Sequence, residues 1–213
     1  ALLAATGTQD GKWKASWPEA LKEATAGQKM ALLVFTNKGL KDCQRFEADT
    51  LSSDGVALAL GKFVCAKVDP DGTDDENKLW QEHKMPRPPM SYIYDPAGKR
   101  LATINSLNAK VFTSILNAAG PAYFDKIQPA QAALARDPAQ ADKLVMLAEA
   151  YANLDNPAES AALYDKATDL LMKKGDSAGA LKIIEGQLAE FYKAKWYIEA
   201  RGACRKLAEL DGG

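Results

Sequence analysis

A short, wholly apolar segment near the start of the chain constrains the fold most. It reads Met30-Ala-Leu-Leu-Val-Phe35 and is preceded by the polar break Gly27-Gln-Lys29. A continuous apolar run of this length, bounded by turn residues, is typical of a strand that is buried on both faces. The segment therefore predicts a central strand in a sheet that is covered on both sides.

Helical and strand patterns alternate around this strand as far as residue 118. The predicted elements are a helix at 17–26, the strand at 30–35, a helix in two pieces at 42–60, a strand at 62–68, a helix through Leu79 and Trp80, a hairpin at 90–94 and 99–104, and a helix at 109–118. This order predicts an α/β sandwich with a mixed sheet.

The composition changes beyond Pro121. Alanine, leucine, glutamate and lysine dominate, no β-rich run remains, and prolines separate segments with helical periodicity. We therefore predict two domains, an α/β domain in residues 1–120 and an all-α domain in residues 121–213.

Small and aromatic residues recur in the second domain at the spacing of a tetratricopeptide repeat, which the segment resembles. A fair match comprises Leu144, Leu147, Ala148, Tyr151, Ser160, Tyr164 and Ala167, and a poorer one comprises Leu188, Ala189, Tyr192, Ala200, Cys204 and Leu207. The resemblance implies helical pairs that stack into a surface for peptides or proteins. The alternative is a bundle that only caps the first domain.

Charge and cysteine usage exclude several classes of partner. Lysine and arginine number 27 against 28 aspartates and glutamates, which disfavours nucleic acid as a partner. No apolar run is long enough to span a bilayer, so we expect no membrane insertion. Three scattered cysteines and one histidine disfavour a disulfide scaffold and a metal site, and no cofactor is indicated. The oligomeric state stays open.

The sequence opens Ala1-Leu-Leu-Ala-Ala without methionine. This start fits the remnant of a cleaved signal peptide, and therefore export to a periplasm or secretion, but it equally fits an arbitrary starting point. The compartment stays open at this stage.

Three segments of the first domain resemble landmarks of the thioredoxin-like family. They are Leu33-Val-Phe35 at the end of the strand before the redox motif, residues 62–69 as the next strand with its terminal aspartate, and residues 89–98 from the cis-proline to a hairpin turn. The resemblance implies the thioredoxin fold for about the first half of the chain.

The redox motif of that family falls on Leu40-Lys41-Asp42-Cys43. Leu40 stands in place of the attacking cysteine, and Cys43 keeps the place of the resolving one. Dithiol exchange needs a low-pKa thiolate to attack and a second thiol to release the product. Because leucine supplies neither, we expect that the protein is not an ordinary dithiol oxidoreductase.

Two further departures lead to the same expectation. Val34 occupies the position at which the family has a buried acid that assists proton transfer. Pro88 precedes Pro89, the family's cis-proline, and it lacks the N–H with which the family binds substrate backbone. The resemblance thus implies a weaker apparatus for catalysis and one substrate hydrogen bond fewer.

The remaining candidate residues have structural explanations. We expect Cys43 to be a buried small hydrophobic residue rather than a reactive thiol, and Cys65 to lie in the core. Cys204 is expected to pack within the helical domain. His83, between Glu82 and Lys84, is expected to be solvated because no orienting acid or nucleophile is spaced from it.

These observations favour a non-catalytic thioredoxin-like module that binds proteins or peptides. The predicted binding residues are Leu40, Lys41, Asp42, Arg87, Pro88 and Pro89. The alternative is a monothiol redox protein in which Cys43 is the catalytic residue and forms mixed disulfides that Cys65 or a partner resolves.

Overall fold

The computed structural model describes residues 13–83 and 87–211. The chain is divided into two compact units, Ala1–Asn117 and Ala118–Gly213. This division and the boundary predicted at residue 120 both fall within one helix, Ala109–Pro121. The first residues of the chain, which carry the expectation of export, lie outside the described residues.

The first unit contains a mixed sheet of five strands. They are β1 (Trp13–Lys14), β2 (Met30–Phe35), β3 (Phe63–Val68), β4 (Met90–Tyr94) and β5 (Arg100–Ile104). Their spatial order is β1-β3-β2-β4-β5. The first three strands pair in parallel, and β4 is antiparallel to both β2 and β5. The predicted α/β class with a mixed sheet is confirmed.

The predicted central strand has the expected position. Every residue of β2 is buried, and β2 pairs with β3 on one side and with β4 on the other. Its Leu33 and Phe35 belong to a buried cluster with Ala20 and Ala24 of the first helix. Apolar residues at every position of β2 therefore reflect packing against both faces of the sheet.

Helices surround this sheet. They are α1 (Trp17–Ala26), α2 (Lys41–Arg45), α3 (Asp54–Leu60), α4 (Asp74–Glu82) and α5 (Ala109–Pro121), and a π-helical turn (Phe46–Leu51) directly follows α2. The Ser16 side chain caps α1 by accepting a hydrogen bond from the Glu19 N–H at 3.3 Å. Thr73 and Glu76 form a capping box at the start of α4.

Two features of this unit differ from the sequence predictions. Strand β1 was not predicted, because Trp13–Lys14 is too short to show an alternating pattern. Helix α5 extends to Pro121 instead of ending at residue 118. The predicted break of the helical region at 52–55 is confirmed, since Ser53 is the N-cap of α3.

The described part of the second unit is helical, as predicted. After a π-helical turn (Ala122–Ile127), its helices are α6 (Gln128–Arg136), α7 (Ala141–Ala152), α8 (Pro157–Lys173), α9 (Ser177–Ala194) and α10 (Tyr197–Asp211). Consecutive helices from α6 to α10 contact each other. In the described ranges no helix is both long and apolar enough to cross a membrane.

Candidate functional site

The turn between β2 and α2 places the predicted motif at an exposed helix start. Asn37 accepts hydrogen bonds from the Gly39 N–H at its side chain (2.8 Å) and from the Leu40 N–H at its carbonyl (3.0 Å). Leu40 is the N-cap of α2 and is 42% exposed. An apolar side chain therefore stands where the helix dipole would stabilise an attacking thiolate.

Cys43 lies in the first turn of α2 and is only 1% exposed. Burial raises the pKa of its thiol, although hydrogen bonds with the Asn37 backbone and the Thr36 side chain partly offset this effect. The nearby carboxylates of Glu47 and Asp42 raise the pKa further. The thiol is therefore protonated at neutral pH, and Cys43 is buried as the sequence predicts.

A polar cluster that we did not predict lies beside Cys43, and we call Thr36, Glu47 and Lys67 the Glu47 cluster. The Thr36 hydroxyl donates to Glu47 Oε1 at 2.9 Å, and Lys67 Nζ lies 3.7 Å from Glu47 Oε2. These three residues border a cavity of about 520 Å³. Glu47 follows Cys43 by four residues and so lies on the same helical face, which is the signal that could have revealed it.

A second cavity brings together most of the predicted binding residues. Arg87 Nη2 donates to Asp42 Oδ2 at 2.8 Å, and the peptide bond between Pro88 and Pro89 is cis. These four residues line a groove of about 360 Å³, together with Met90, Asn105 and Leu107. Leu40 and Lys41 are exposed near the start of α2 and are not part of this lining.

A family described as Thioredoxin-like matches residues 12–96. The matched segment spans β1 to β4 and contains Leu40, Cys43 and both prolines of the groove. The chain carries a thioredoxin-like domain. A search of curated proteins finds no match to the chain.

Several solved structures are similar to the thioredoxin-like domain. A thioredoxin from Thermus thermophilus is 27% identical, with 50% of this chain and 84% of that chain covered and a TM-score of 0.45. The Neisseria meningitidis DsbD C-terminal domain in its oxidised form is 24% identical over 45% and 82%, with a TM-score of 0.38. A disulphide isomerase from Xylella fastidiosa is 22% identical over 48% and 78%, with a TM-score of 0.37.

The structure corrects the expectation that His83 of the thioredoxin-like domain is solvated. His83 is half-buried, and its Nε2 lies 2.8 Å from the Tyr94 hydroxyl and its Nδ1 2.9 Å from the Leu79 carbonyl. Because a carbonyl only accepts, Nδ1 carries the proton and donates to Leu79. In the neutral ring, Nε2 then accepts from Tyr94. His83 is therefore a structural residue that joins α4 to β4.

The other two cysteines have different surroundings. Cys65 is 1% exposed on β3, as expected for a core residue. Cys204 is exposed on α10, so the expectation that it packs within the helical domain is wrong. Cys43, Cys65 and Cys204 form no disulfide. Among the residues that the structure describes, no group of His, Cys, Asp and Glu could hold a metal ion.

Proposed function

We propose that the thioredoxin-like domain is a protein-binding module that does not carry out dithiol exchange. The observation that carries this proposal is the pairing of a 1% exposed Cys43 with an exposed leucine, Leu40, at the start of α2. In dithiol exchange a thiolate must reach the partner's disulfide, and a second thiol must then displace the partner. Here the exposed position has no sulfur, and the sulfur that is present is buried and protonated.

The groove beside α2 is the proposed binding surface of this domain. Its Asp42 and Arg87 side chains form an ion pair that is largely exposed, with 79% exposure at Arg87. The planar guanidinium has five donors, so it retains hydrogen-bonding capacity beyond the bond to Asp42. Pro88 offers its carbonyl but no N–H to an extended peptide, which leaves recognition to the groove's side chains and this one acceptor.

We propose that the helical unit is tetratricopeptide-like and also binds proteins. Support comes from helices α7 to α10, in which each helix contacts the next, and from the buried Ala148, Tyr151, Tyr164 and Ala167 at the predicted repeat positions. Pairs of helices of this kind bury their faces by stacking and leave an extended surface for partners. A purely capping role is the alternative.

The second candidate function is monothiol redox chemistry at Cys43. It is favoured by the Glu47 carboxylate, which acts on Cys43 and would accept the thiol proton when a thiolate forms, while Thr36 holds that carboxylate in place by its hydrogen bond. The Cys43 sulfur would then attack a partner disulfide, form one new S–S bond, and release the partner's other sulfur as a thiolate. Such a reaction requires exposure of Cys43 by local opening of α2.

A disulfide reductase assay on wild type and on a variant with a cysteine at Leu40 distinguishes the binding role from redox catalysis. We expect wild-type protein to show no disulfide reductase activity with insulin and dithiothreitol, and Leu40→Cys to gain it. The matched control is Leu58→Cys, which adds a thiol at a 79% exposed position of α3 and is expected to gain nothing. Wild-type turnover at the rate of Leu40→Cys would overturn the proposal, and no gain in Leu40→Cys would show that the motif is placed wrongly.

A further inference from the structure

An apolar groove lies between α7 and α9 in the helical unit. Val145 and Glu149 of α7 and Asn153 at the C-cap of that helix line it at intervals of four residues, and Gly186 and Glu190 of α9 have the same spacing. Residues spaced by four lie on one face of a helix, so two stripes line an elongated cavity of about 480 Å³. Its volume is within the range of known ligand sites.

One end of this groove is negatively charged. Glu190 is half-buried and accepts a hydrogen bond of 2.8 Å from the hydroxyl of Tyr164, which forms part of the lining. Burial raises the pKa of the Glu190 carboxyl. The Tyr164 hydrogen bond and Lys193 oppose this rise, and the Glu149 carboxylate adds to it. The exposed Glu149 carboxylate thus acts on the partly desolvated carboxylate of Glu190.

Lys193, three residues after Glu190 on α9, lowers the pKa of this carboxyl but forms no ion pair with it. Among the ion pairs of the described residues, none includes Glu149 or Glu190. Lys182, which also lines the groove, is eight residues before Glu190 on α9 and is therefore about 12 Å away along the helix axis. The groove is large enough for a side chain of a partner, and a cationic side chain would complement the carboxylates at its Glu190 end.

Gly186 keeps the middle of the groove open. A Cβ built on this residue meets no atom within 4 Å, so no packing inside the chain requires glycine here. Glycine in the interior of a helix is less favourable than alanine. A side chain at this position would instead occupy the space of a ligand.

We propose that this groove binds a segment of a partner protein by seating an arginine or lysine side chain between Glu149 and Glu190. The inference rests on the proposed protein-binding role of the helical unit. Apolar neighbours of the cation contact Val145 and Ile183, while its nitrogens donate to the two carboxylates. Arginine fits best, because its guanidinium donates to two acceptors in a fixed geometry.

The test is binding of a fluorescein-labelled peptide, in which arginine is flanked by leucines, to the full chain, measured by anisotropy. A peptide with neutral citrulline in place of arginine is the ligand control. We expect Glu190→Gln, which preserves an acceptor for Tyr164, to weaken binding about tenfold or more. Glu185→Gln removes an exposed charge from the same helix outside the groove and is expected to leave binding unchanged.

A second pair of variants tests the groove itself. Gly186→Leu is expected to abolish peptide binding, whereas Gly202→Leu on α10, where a Cβ also meets nothing within 4 Å, is expected to leave it intact. Equal affinity for the arginine and citrulline peptides would overturn the cation site. If Gly186→Leu still blocked that binding, the protein-binding role of the unit would survive. No binding of either peptide would overturn the inference, while the test at Leu40 would still decide the function of the other unit.

Discussion

Thr36 donates a hydrogen bond to the carboxylate of Glu47 at 2.9 Å, next to the buried thiol of Cys43. The Thr36 side chain is also hydrogen-bonded to Cys43, and the Glu47 charge raises the pKa of the thiol. Thr36 directly after β2, Cys43 of α2 and Glu47 of the π-helical turn thus influence one another. Burial first, and then the Glu47 charge, raise the pKa of the Cys43 thiol and favour its protonated form, while the Thr36 hydrogen bond opposes them.

Glu47→Gln should lower the pKa of Cys43. Removing a neighbouring negative charge makes the thiolate less unfavourable, so the pKa should fall towards its ordinary value. The measurement is the pH titration of the ¹³Cβ shift of labelled Cys43, which does not require access of a reagent. Asp49→Asn, at an exposed position of the same turn, should leave the titration unchanged. An unchanged or raised pKa in Glu47→Gln would contradict the coupling.

Phe46→Ala should strongly destabilise the first unit. Phe46 is 2% exposed and packs edge to face on Phe112 of α5, with ring centroids 5.4 Å apart. Loss of a buried aromatic side chain typically costs about 3–5 kcal/mol in the free energy of unfolding, which urea unfolding measures. Leu58→Ala, on the exposed face of α3, should cost less than about 0.5 kcal/mol. A similarly small effect at Phe46 would mean that this contact does not anchor the π-helical turn.

Tyr94→Phe should change the dependence of stability on pH. Burial raises the pKa of Tyr94 to about 12 from an ordinary value of 10.0. The folded state therefore disfavours the phenolate. The stability that the protonated Tyr94 contributes is fully present below pH 10 and is lost as the pH rises from 10 to 12. Wild type should lose up to about 2–3 kcal/mol across this window.

The Tyr94→Phe variant should lack that loss while being less stable by about 1 kcal/mol at pH 8, because the hydrogen bond to His83 is removed. Urea unfolding at pH 8, 10 and 11 measures both effects. Tyr192→Phe, at a 59% exposed tyrosine, is the control and should follow wild type. Parallel pH profiles for wild type and Tyr94→Phe would show that the buried phenol is not responsible.

Arg87→Ala should leave the fold almost unchanged. The ion pair with Asp42 is short at 2.8 Å, but the arginine side chain is 79% exposed. Solvent-exposed pairs contribute about 0–1 kcal/mol, so the thermal midpoint should stay close to that of wild type. A loss well above 1 kcal/mol would give Arg87 a structural role. It would then be unsuitable for testing the groove's role in binding.

Elements with a long, uniform pattern were predictable from the sequence. The apolar run of β2 and the amphipathic α1 lie where the sequence places them, because local pattern and tertiary burial favour the same structure there. Strand β1 was missed because two residues carry no periodicity. Its pairing with β3 is a tertiary effect.

The site was predictable only in part. The grouping of Asp42 with Arg87, Pro88 and Pro89 follows from placing the predicted motif on the fold. The Glu47 cluster was missed because a single glutamate in a helix is normally a solvated charge. The partial burial of His83 likewise depends on Tyr94 of β4, a contact that the local pattern around His83 does not reveal.

The rate of alkylation of Cys43, measured as a function of pH, tests most directly the proposal that this protein does not catalyse thiol–disulfide exchange. The variant Cys65→Ala/Cys204→Ala isolates Cys43 and removes the exposed thiol of Cys204, which would react first. We expect Cys43 to react at least about a thousandfold more slowly in the native protein than in urea, because the reagent reaches the buried thiol only when α2 opens locally. Fast modification of the native protein, with an apparent pKa below about 8.5, would contradict the proposal and establish Cys43 as a reactive thiol.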